Sequence, residues 1–177
     1  MLKGFGVAPI ATALVGLGVV VFASHVRAGG DKVAFPEGFD KGVLYTTVDR
    51  ADNKQYREIF TSQAAVDAAK KGQPMPDGTV VTLIQYRAKL GADGNPEKDA
   101  NGRFIKTDIL GYTVMEKRKG WGAEYPDNIR NGEWEYQAFT AAKQPNPNAK
   151  LTACFECHKP LPQASDFLFS YGKMAGK

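Results

Sequence analysis

Alternating apolar and polar positions along the chain predict a sheet of about five strands. Short runs rich in β-branched and aromatic residues recur between turn signals, as is typical of strands. The last run alternates most regularly, since Trp134 and Tyr136 share one side and Glu135 lies on the other. A polar, turn-rich loop at 91–103 lets the chain reverse before the fourth strand. The predicted strands are 42–49, 55–61, 79–88, 108–117 and 133–139.

Helical signals flank these strands. The alanine-rich segment after the second strand begins at Ser62, a residue type that caps helix N-termini. It carries Lys70 and Lys71 in its last turn and ends at Gly72. A further helix is expected around the two cysteines, near the C-terminus. The sequence therefore predicts an α+β fold, which is mainly an antiparallel β-sheet with flanking helices.

The N-terminal 28 residues have the pattern of an export signal. Residues 4–24 carry no charge, follow Lys3, and lead into a small-residue cleavage site that ends at Ala28. We therefore predict a signal peptide at 1–28 and a single domain at 29–177. The alternative is an uncleaved membrane anchor, because an apolar run of this length can span a bilayer. Under either interpretation the domain is exported from the cytoplasm, and we predict that it is located in the periplasm.

The charge balance excludes one class of partner. The full chain carries 23 basic and 19 acidic side chains, which give a formal charge of +4. Cleavage after Ala28 would remove Lys3 and Arg27 but no acidic residue, leaving 21 basic side chains against 19, or +2. This balance does not provide the dense positive field that nucleic acid binding requires. Cleavage would also remove His25, so His158 would be the sole histidine of the mature domain.

A Cys-x-x-Cys-His motif holds both cysteines of the chain together with this histidine. On a helix, positions i, i+3 and i+4 share a face, so Cys154, Cys157 and His158 would project toward the same object. Two thiols at this spacing can form thioether bonds to the vinyl groups of a haem, while the adjacent imidazole binds the iron. The motif predicts one covalent haem c per chain, with His158 as the iron ligand.

Three other interpretations of the two cysteines compete with haem. A dithiol redox motif has the same spacing, but it is expected within a βαβ context, and the preceding strands are predicted to be antiparallel. A structural zinc site needs four ligands, and no second Cys or His pair is present. A disulfide across two intervening residues is possible in an exported protein, but so short a loop is usually strained and reducible.

The nature of the sixth iron ligand separates the functions open to such a protein. Because His158 would be the sole histidine, a second histidine ligand from the same subunit is excluded, which leaves a methionine, a lysine or an open position. A methionine would indicate an electron carrier, because a thioether raises the potential and closes the iron to other ligands; the candidates are Met75, Met115 and Met174. An open iron would instead bind small ligands beneath a wall of apolar side chains. The candidates for that wall are Tyr45, Phe60, Leu83, Tyr86 and Trp134, although aromatic residues on strands more often belong to the core.

The same features resemble a known family. The Asp-Gly-Thr turn at 77–79, the strand with Gly132, Trp134 and Tyr136, and the late haem motif are similar to cytochrome P-460 and to the β-sheet cytochromes c′, or c′-beta. The resemblance extends over roughly 35–169. It implies an antiparallel sheet flanked by helices, a homodimer, and a five-coordinate haem c held by the two cysteines and the histidine.

The resemblance also indicates which branch of the family this sequence is more similar to. Members that oxidise hydroxylamine carry a lysine, cross-linked to the haem, on the strand after the Asp-Gly-Thr turn. In this sequence Leu83 stands at that position, and the first lysine of the strand, Lys89, lies about 20 Å further along an extended chain. A leucine here resembles the hydrophobically capped c′-beta branch, which binds NO and is linked to nitric oxide handling.

Glu135 has two interpretations. By the same comparison, it falls where some hydroxylamine oxidisers place an acidic group that accepts protons, which makes it the candidate catalytic residue. Its alternation with Trp134 and Tyr136 is equally consistent with a solvent-facing residue, and we favour this second interpretation.

Three functional hypotheses follow. The leading one is an exported haem c protein with a five-coordinate iron, a cofactor site that includes Leu83, and a small diatomic or nitrogen-containing ligand such as NO. The second is a hydroxylamine-oxidising or peroxidase-like enzyme that uses Glu135. The third is an electron carrier with a methionine ligand. Under each hypothesis we expect a redox partner protein. We expect association with a membrane only if the N-terminal segment is uncleaved.

Overall fold

The computed structural model describes Met1 and residues 32–177 of the chain. The predicted signal peptide therefore lies outside the described residues, apart from Met1, and remains a prediction. Among the described residues, no helix combines the length and the apolar character needed to cross a bilayer.

The five strands form one antiparallel sheet in which each strand pairs with its neighbours in sequence. This confirms the predicted fold class, and β2 has the predicted bounds because a polar turn and the cap at Ser62 delimit it. The fourth strand begins two residues earlier than expected. The strands are β1 (Val43–Arg50), β2 (Gln55–Thr61), β3 (Val80–Ala88), β4 (Lys106–Lys117) and β5 (Trp134–Thr140).

Three α-helices accompany the sheet: α1 (Gln63–Lys70), α2 (Leu151–His158) and α3 (Tyr171–Met174). Helix α1 begins as its sequence predicts, because the Ser62 hydroxyl accepts a hydrogen bond from the Ala65 amide at 3.2 Å. Three of the four alanines of α1, Ala65, Ala68 and Ala69, are buried, and the helix packs toward α3. Helix α2 contains the cysteine motif and packs on β5.

The sheet is covered on both faces. On one face, here called the inner face, Ile59, Val81 and Met115 belong to a core with all three helices. On the other, the outer face, the buried side chains of Ile84, Tyr112, Val114 and Phe139 pack with Val33. Because apolar residues lie on both faces, the central strands have little of the alternation that marks a half-exposed sheet.

Burial on both faces also corrects one expectation about β5. Glu135 is 0% exposed, so the favoured interpretation of a solvent-facing carboxylate is wrong. The hydroxyl of Tyr125, from the segment between β4 and β5, donates to Glu135 Oε2 at 2.9 Å. The ammonium of Lys32 lies 3.6 Å from Oε1. Residues from outside the strand thus cover the side of β5 that alternation alone would assign to solvent.

Candidate functional site

A cavity of about 1010 Å³ lies between the inner face of the sheet and the C-terminal segment. Its volume is at the upper end of the range of about 300–1,000 Å³ that is typical of small-molecule and cofactor sites. Side chains of β1, β2, β3 and β4 form one part of its wall, and residues of α2 and of the segment after it form another. The cavity is therefore large enough for a cofactor and spans most of the sheet.

Helix α2 brings the three residues of the motif to this cavity. Cys154, Cys157 and His158 all contribute to its wall, as their helical spacing predicts. Both cysteines are free thiols. Burial is the main cause that raises the pKa of the Cys154 thiol above its usual value.

Aromatic packing holds α2 in place. Phe155, between the two cysteines, is fully buried and packs edge-on against Tyr125 and Tyr136, with ring centroids 4.9 and 4.7 Å away. The side-chain amide of Asn131 donates to the Phe155 carbonyl and to the Tyr136 hydroxyl, both at 3.0 Å. With Phe155 facing the core, the cysteines on either side of it in sequence are directed to the cavity.

The imidazole of His158 is oriented by a backbone group. Its Nδ1 lies 2.7 Å from the carbonyl oxygen of Phe167. Because a carbonyl only accepts hydrogen bonds, Nδ1 carries the proton and Nε2 is left with the lone pair that a metal requires. The ring packs between Tyr136 and Phe169, at centroid distances of 5.1 and 4.9 Å. Burial lowers the pKa of His158, which also favours the neutral form that ligates metals.

A buried carboxylate fixes the loop that orients this histidine. Asp166 accepts hydrogen bonds from the Met75 amide and the Lys117 ammonium at 2.7 Å, and from the Trp134 indole at 3.2 Å. Asp166 and Phe167 both have left-handed backbone conformations, with φ of 48° and 58°. Such conformations are unfavourable for residues other than glycine and persist where surrounding contacts impose them. The contacts of Asp166 thus help to place the carbonyl that His158 needs.

The sheet contributes an aliphatic wall with a cationic end. Ile59, Val81 and Leu83 line the cavity from β2 and β3. Toward the turn that joins β1 to β2, the wall becomes polar. The cationic and polar side chains at this end are Arg50, Arg57, Gln85 and Arg103.

Comparison with known protein families gives a match that covers most of the chain. The sequence model of the Cytochrome P460 family matches residues 36–170. The chain belongs to this family. No curated protein matches the sequence, so the assignment depends on the family model.

Membership of the cytochrome P460 family implies a haem cofactor, and the described residues fit one. The cavity has sufficient volume, and the two thiols and the imidazole line it together. The hydrogen bond at Nδ1 leaves Nε2 of His158 available to an iron. The residues able to hold the cofactor are therefore those of the Cys-x-x-Cys-His motif, supported by the inner face of the sheet.

Most of the candidates for the wall of the site lie outside it, as the alternative of core packing expects. Of its five members, Leu83 lines the cavity, whereas Tyr45, Phe60, Tyr86 and Trp134 do not. Phe60 and Tyr86 project to the outer face, because they alternate with inner-face residues along β2 and β3. The hydroxyl of Tyr45 is hydrogen-bonded to Ser170, and Trp134 is buried against Asp166.

Most of the other candidate residues lie outside the cavity wall. Glu135 is not part of the cavity wall, and its assignment as a catalytic residue remains a prediction. Lys89 forms an ion pair with Glu97 at 2.6 Å and does not line the cavity either. Among the three candidate methionines, Met115 contributes to the wall. Met75 and Met174 are buried elsewhere in the core.

Several residues of the site were missed by sequence reasoning. Arg57 lies two residues before Ile59 on β2 and therefore on the same, inner face of the sheet. Charged side chains rarely face a core, so this position could have been recognised from the sequence as part of a functional site. Arg103 and Asp166 lie in connecting segments without periodicity, so no comparable signal marked them. Their positions depend on contacts between segments distant in the chain.

Proposed function

We propose that this protein is an exported c-type cytochrome that carries one covalent haem and binds NO or a related small nitrogen or oxygen species. Cys154 and Cys157 would form the thioether bonds, and His158 Nε2 would ligate the iron. A haem with a single protein ligand supplies an open coordination position that takes NO. Family membership supports the haem, and the cavity wall supports the choice of ligand.

The observation that carries this proposal is the aliphatic wall formed by Ile59, Val81 and Leu83. Such a wall excludes water and offers no group that moves protons, which suits a small uncharged ligand. Among the described residues of the wall, Asp49 is the single carboxylate, and it forms an ion pair with Arg103 at 3.2 Å. The described residues of the wall therefore include no carboxylate that is free to assist turnover.

Spectroscopy of the purified protein tests the proposal. We expect the mass of the chain to include one haem, and the absorption spectra of the oxidised and reduced forms to indicate a five-coordinate iron. NO should then change the spectrum of the reduced form saturably. A stable six-coordinate spectrum in both redox states, or a chain with the mass of bare polypeptide, would refute the proposal.

A pair of truncation variants tests the role of the wall. Leu83→Ala removes aliphatic atoms from the cavity, whereas Ile84→Ala removes a similar side chain from the outer face of the same strand. We expect the rates of NO association and dissociation to change in Leu83→Ala and to stay unchanged in Ile84→Ala. Equal effects of the two substitutions would show that Leu83 acts only through stability.

Electron transfer with a methionine ligand is the first alternative, and one observation favours it. Met115 lies in the cavity wall, on the strand next to β3. Under this alternative, Met115→Leu would convert a six-coordinate spectrum to a five-coordinate one. An unchanged spectrum would exclude Met115 as a ligand, since leucine has a similar volume but no donor atom.

A hydroxylamine-oxidising or peroxidase-like activity is the second alternative. The burial of Glu135 and its hydrogen bond with Tyr125 favour a specific role for this carboxylate, since a residue that only interacts with solvent would be exposed. Under this alternative, Glu135→Gln would abolish turnover while the haem stays attached. Unchanged rates in that variant would remove Glu135 from the catalytic groups.

Location and partners belong to the same proposal. The uncharged N-terminal run supports export to the periplasm, and the family resemblance supports a homodimer. A haem iron that changes redox state needs an electron donor or acceptor, so we also propose a redox partner protein. Fractionation of cells and the mass of the native particle would test the first two points.

A further inference from the structure

The cationic end of the cavity carries more positive charge than the neighbouring carboxylates neutralise. It brings together Arg50 from the end of β1, Arg57 from β2, and Arg103 from the loop before β4. Arg50 is already engaged, because its guanidinium donates to both carboxylate oxygens of Asp52, at 2.8 and 2.6 Å. The other two arginines are less completely paired.

Arg57 has a neutral partner instead of an anion. Its Nε and Nη2 both donate to the side-chain oxygen of Gln55, at 3.0 and 2.8 Å. Within residues 32–177, no carboxylate lies within ion-pairing distance of Arg57, although its side chain is half-buried. Burial, and secondly the charge of Arg50, lower the pKa of Arg57, so its charged form is destabilised as the site stands.

Arg103 lines the same cavity and has donors that its neighbours leave unsatisfied. Its Nε and Nη2 are both buried and make no hydrogen bond in the described part of the chain. The Nε lies 3.2 Å from Asp49 Oδ2, so this carboxylate offsets the charge of Arg103 but does not satisfy its donors. A half-buried charge without an anion and a buried donor without an acceptor are both destabilising, so both arginines would gain from an anion in the cavity.

We propose that Arg57 and Arg103 form a binding site for a planar oxyanion at the cationic end of the cavity. A guanidinium presents paired N–H donors whose geometry matches the two oxygens of a carboxylate or of nitrite. Two sources supply such a group: a propionate of the haem, or a small soluble oxyanion. This inference rests on the haem occupying the cavity, as proposed above, but it does not depend on which ligand the iron takes.

Variants of the haem-loaded protein test this site. Arg57→Gln and Arg103→Gln each remove one guanidinium, and Arg57→Lys keeps the charge but not the paired donors. Arg118→Gln is the matched control, because Arg118 pairs with Glu116 and lies outside the cavity wall. Two quantities are measured for each protein: the reduction potential between pH 5 and pH 8, and the affinity for nitrite from absorption titrations.

The two sources of the oxyanion give different results. If a propionate occupies the site, Arg57→Gln and Arg103→Gln lower the reduction potential more than Arg118→Gln does, because the negative charge of the propionate is then no longer neutralised and favours the oxidised iron. Arg57→Lys then restores part of the shift, and added nitrite has no effect through this site. If a soluble anion occupies it, nitrite binds saturably and the affinity falls at least tenfold in Arg57→Gln.

One outcome overturns the inference. If Arg57→Gln and Arg103→Gln match Arg118→Gln in both the potential and the nitrite affinity, no oxyanion is bound by these arginines. Haem content, measured by mass, verifies that each variant is assembled, and Arg57→Lys serves where Arg57→Gln does not accumulate. NO binding by the unmodified protein is scored separately, so failure of this site and failure of the proposed function remain distinguishable.

Discussion

Asp166 and Lys117 form an ion pair of a kind that proteins seldom bury. Their side chains are 10% and 13% exposed, and the oxygen and nitrogen lie 2.7 Å apart. Removing one member of a buried pair leaves the other charge uncompensated, at a typical cost of about 3–5 kcal/mol. Since Asp166 also accepts bonds from Met75 and Trp134, its charge stabilises three separate segments.

We predict that Asp166→Asn lowers the free energy of unfolding by about 3 kcal/mol, because it leaves the Lys117 ammonium without an anion. Urea denaturation of the haem-loaded protein measures this. The matched control is Glu37→Gln, which removes an exposed partner of Lys143 at 3.3 Å and should change stability by less than about 0.5 kcal/mol. Equal effects of the two substitutions would contradict the prediction.

The same residues show how far sequence reasoning reaches at this scale. Cys154, Cys157 and His158 were found because their spacing in sequence is also their spacing on a helix, so a local rule sufficed. Leu83 was identified through the family resemblance, by counting along the strand that follows the Asp-Gly-Thr turn. Asp166 was not found, because an acidic residue in a loop is ordinarily solvated. Only the approach of Lys117, Met75 and Trp134 makes it a buried group.

At the scale of elements, the cap of α1 gives a second prediction. Ser62→Ala removes the hydroxyl that accepts from the Ala65 amide, and a lost cap of this kind costs about 1 kcal/mol. Ser62→Asp keeps an acceptor at the same position and should retain most of the stability. Thermal denaturation of the two variants checks this. Similar melting temperatures for Ser62→Ala and Ser62→Asp would show that the cap contributes little.

Strand positions were predicted well, but the environment of each strand face was not. Turns and β-branched runs are local signals, and they located all five strands to within about two residues. These local signals do not indicate which face of the sheet borders the cavity, because both faces are apolar. Phe60 and Tyr86 were thus assigned to the site although they pack on the outer face. Glu135 was assigned to solvent although the segment around Tyr125 covers it.

At the scale of the whole molecule, buried phenols limit stability at alkaline pH. Burial is the main cause that raises the pKa of Tyr45, Tyr86 and Tyr136 in the folded state. In the unfolded chain a tyrosine ionises near pH 10. The stabilisation by the neutral phenols is therefore fully present below about pH 10 and is lost as the pH rises above it.

We predict that the free energy of unfolding falls steeply between pH 10 and pH 11, and that this slope is shallower in Tyr45→Phe. Urea denaturation at a series of pH values measures the slope. The absorbance of phenolate at each pH shows whether the folded protein keeps these tyrosines neutral. An unchanged slope in Tyr45→Phe would mean that Tyr45 is not among the groups responsible.

The order of the strands has a consequence for assembly. Each strand pairs with the strand that precedes or follows it in sequence, so the sheet forms without pairing strands that are far apart in the chain. The last strand ends at Thr140, before the thiols and the imidazole are reached. A nascent chain therefore contains all five strands before the Cys-x-x-Cys-His motif emerges. The core of the inner face is completed later, when Phe155, Leu168 and Met174 have been synthesised.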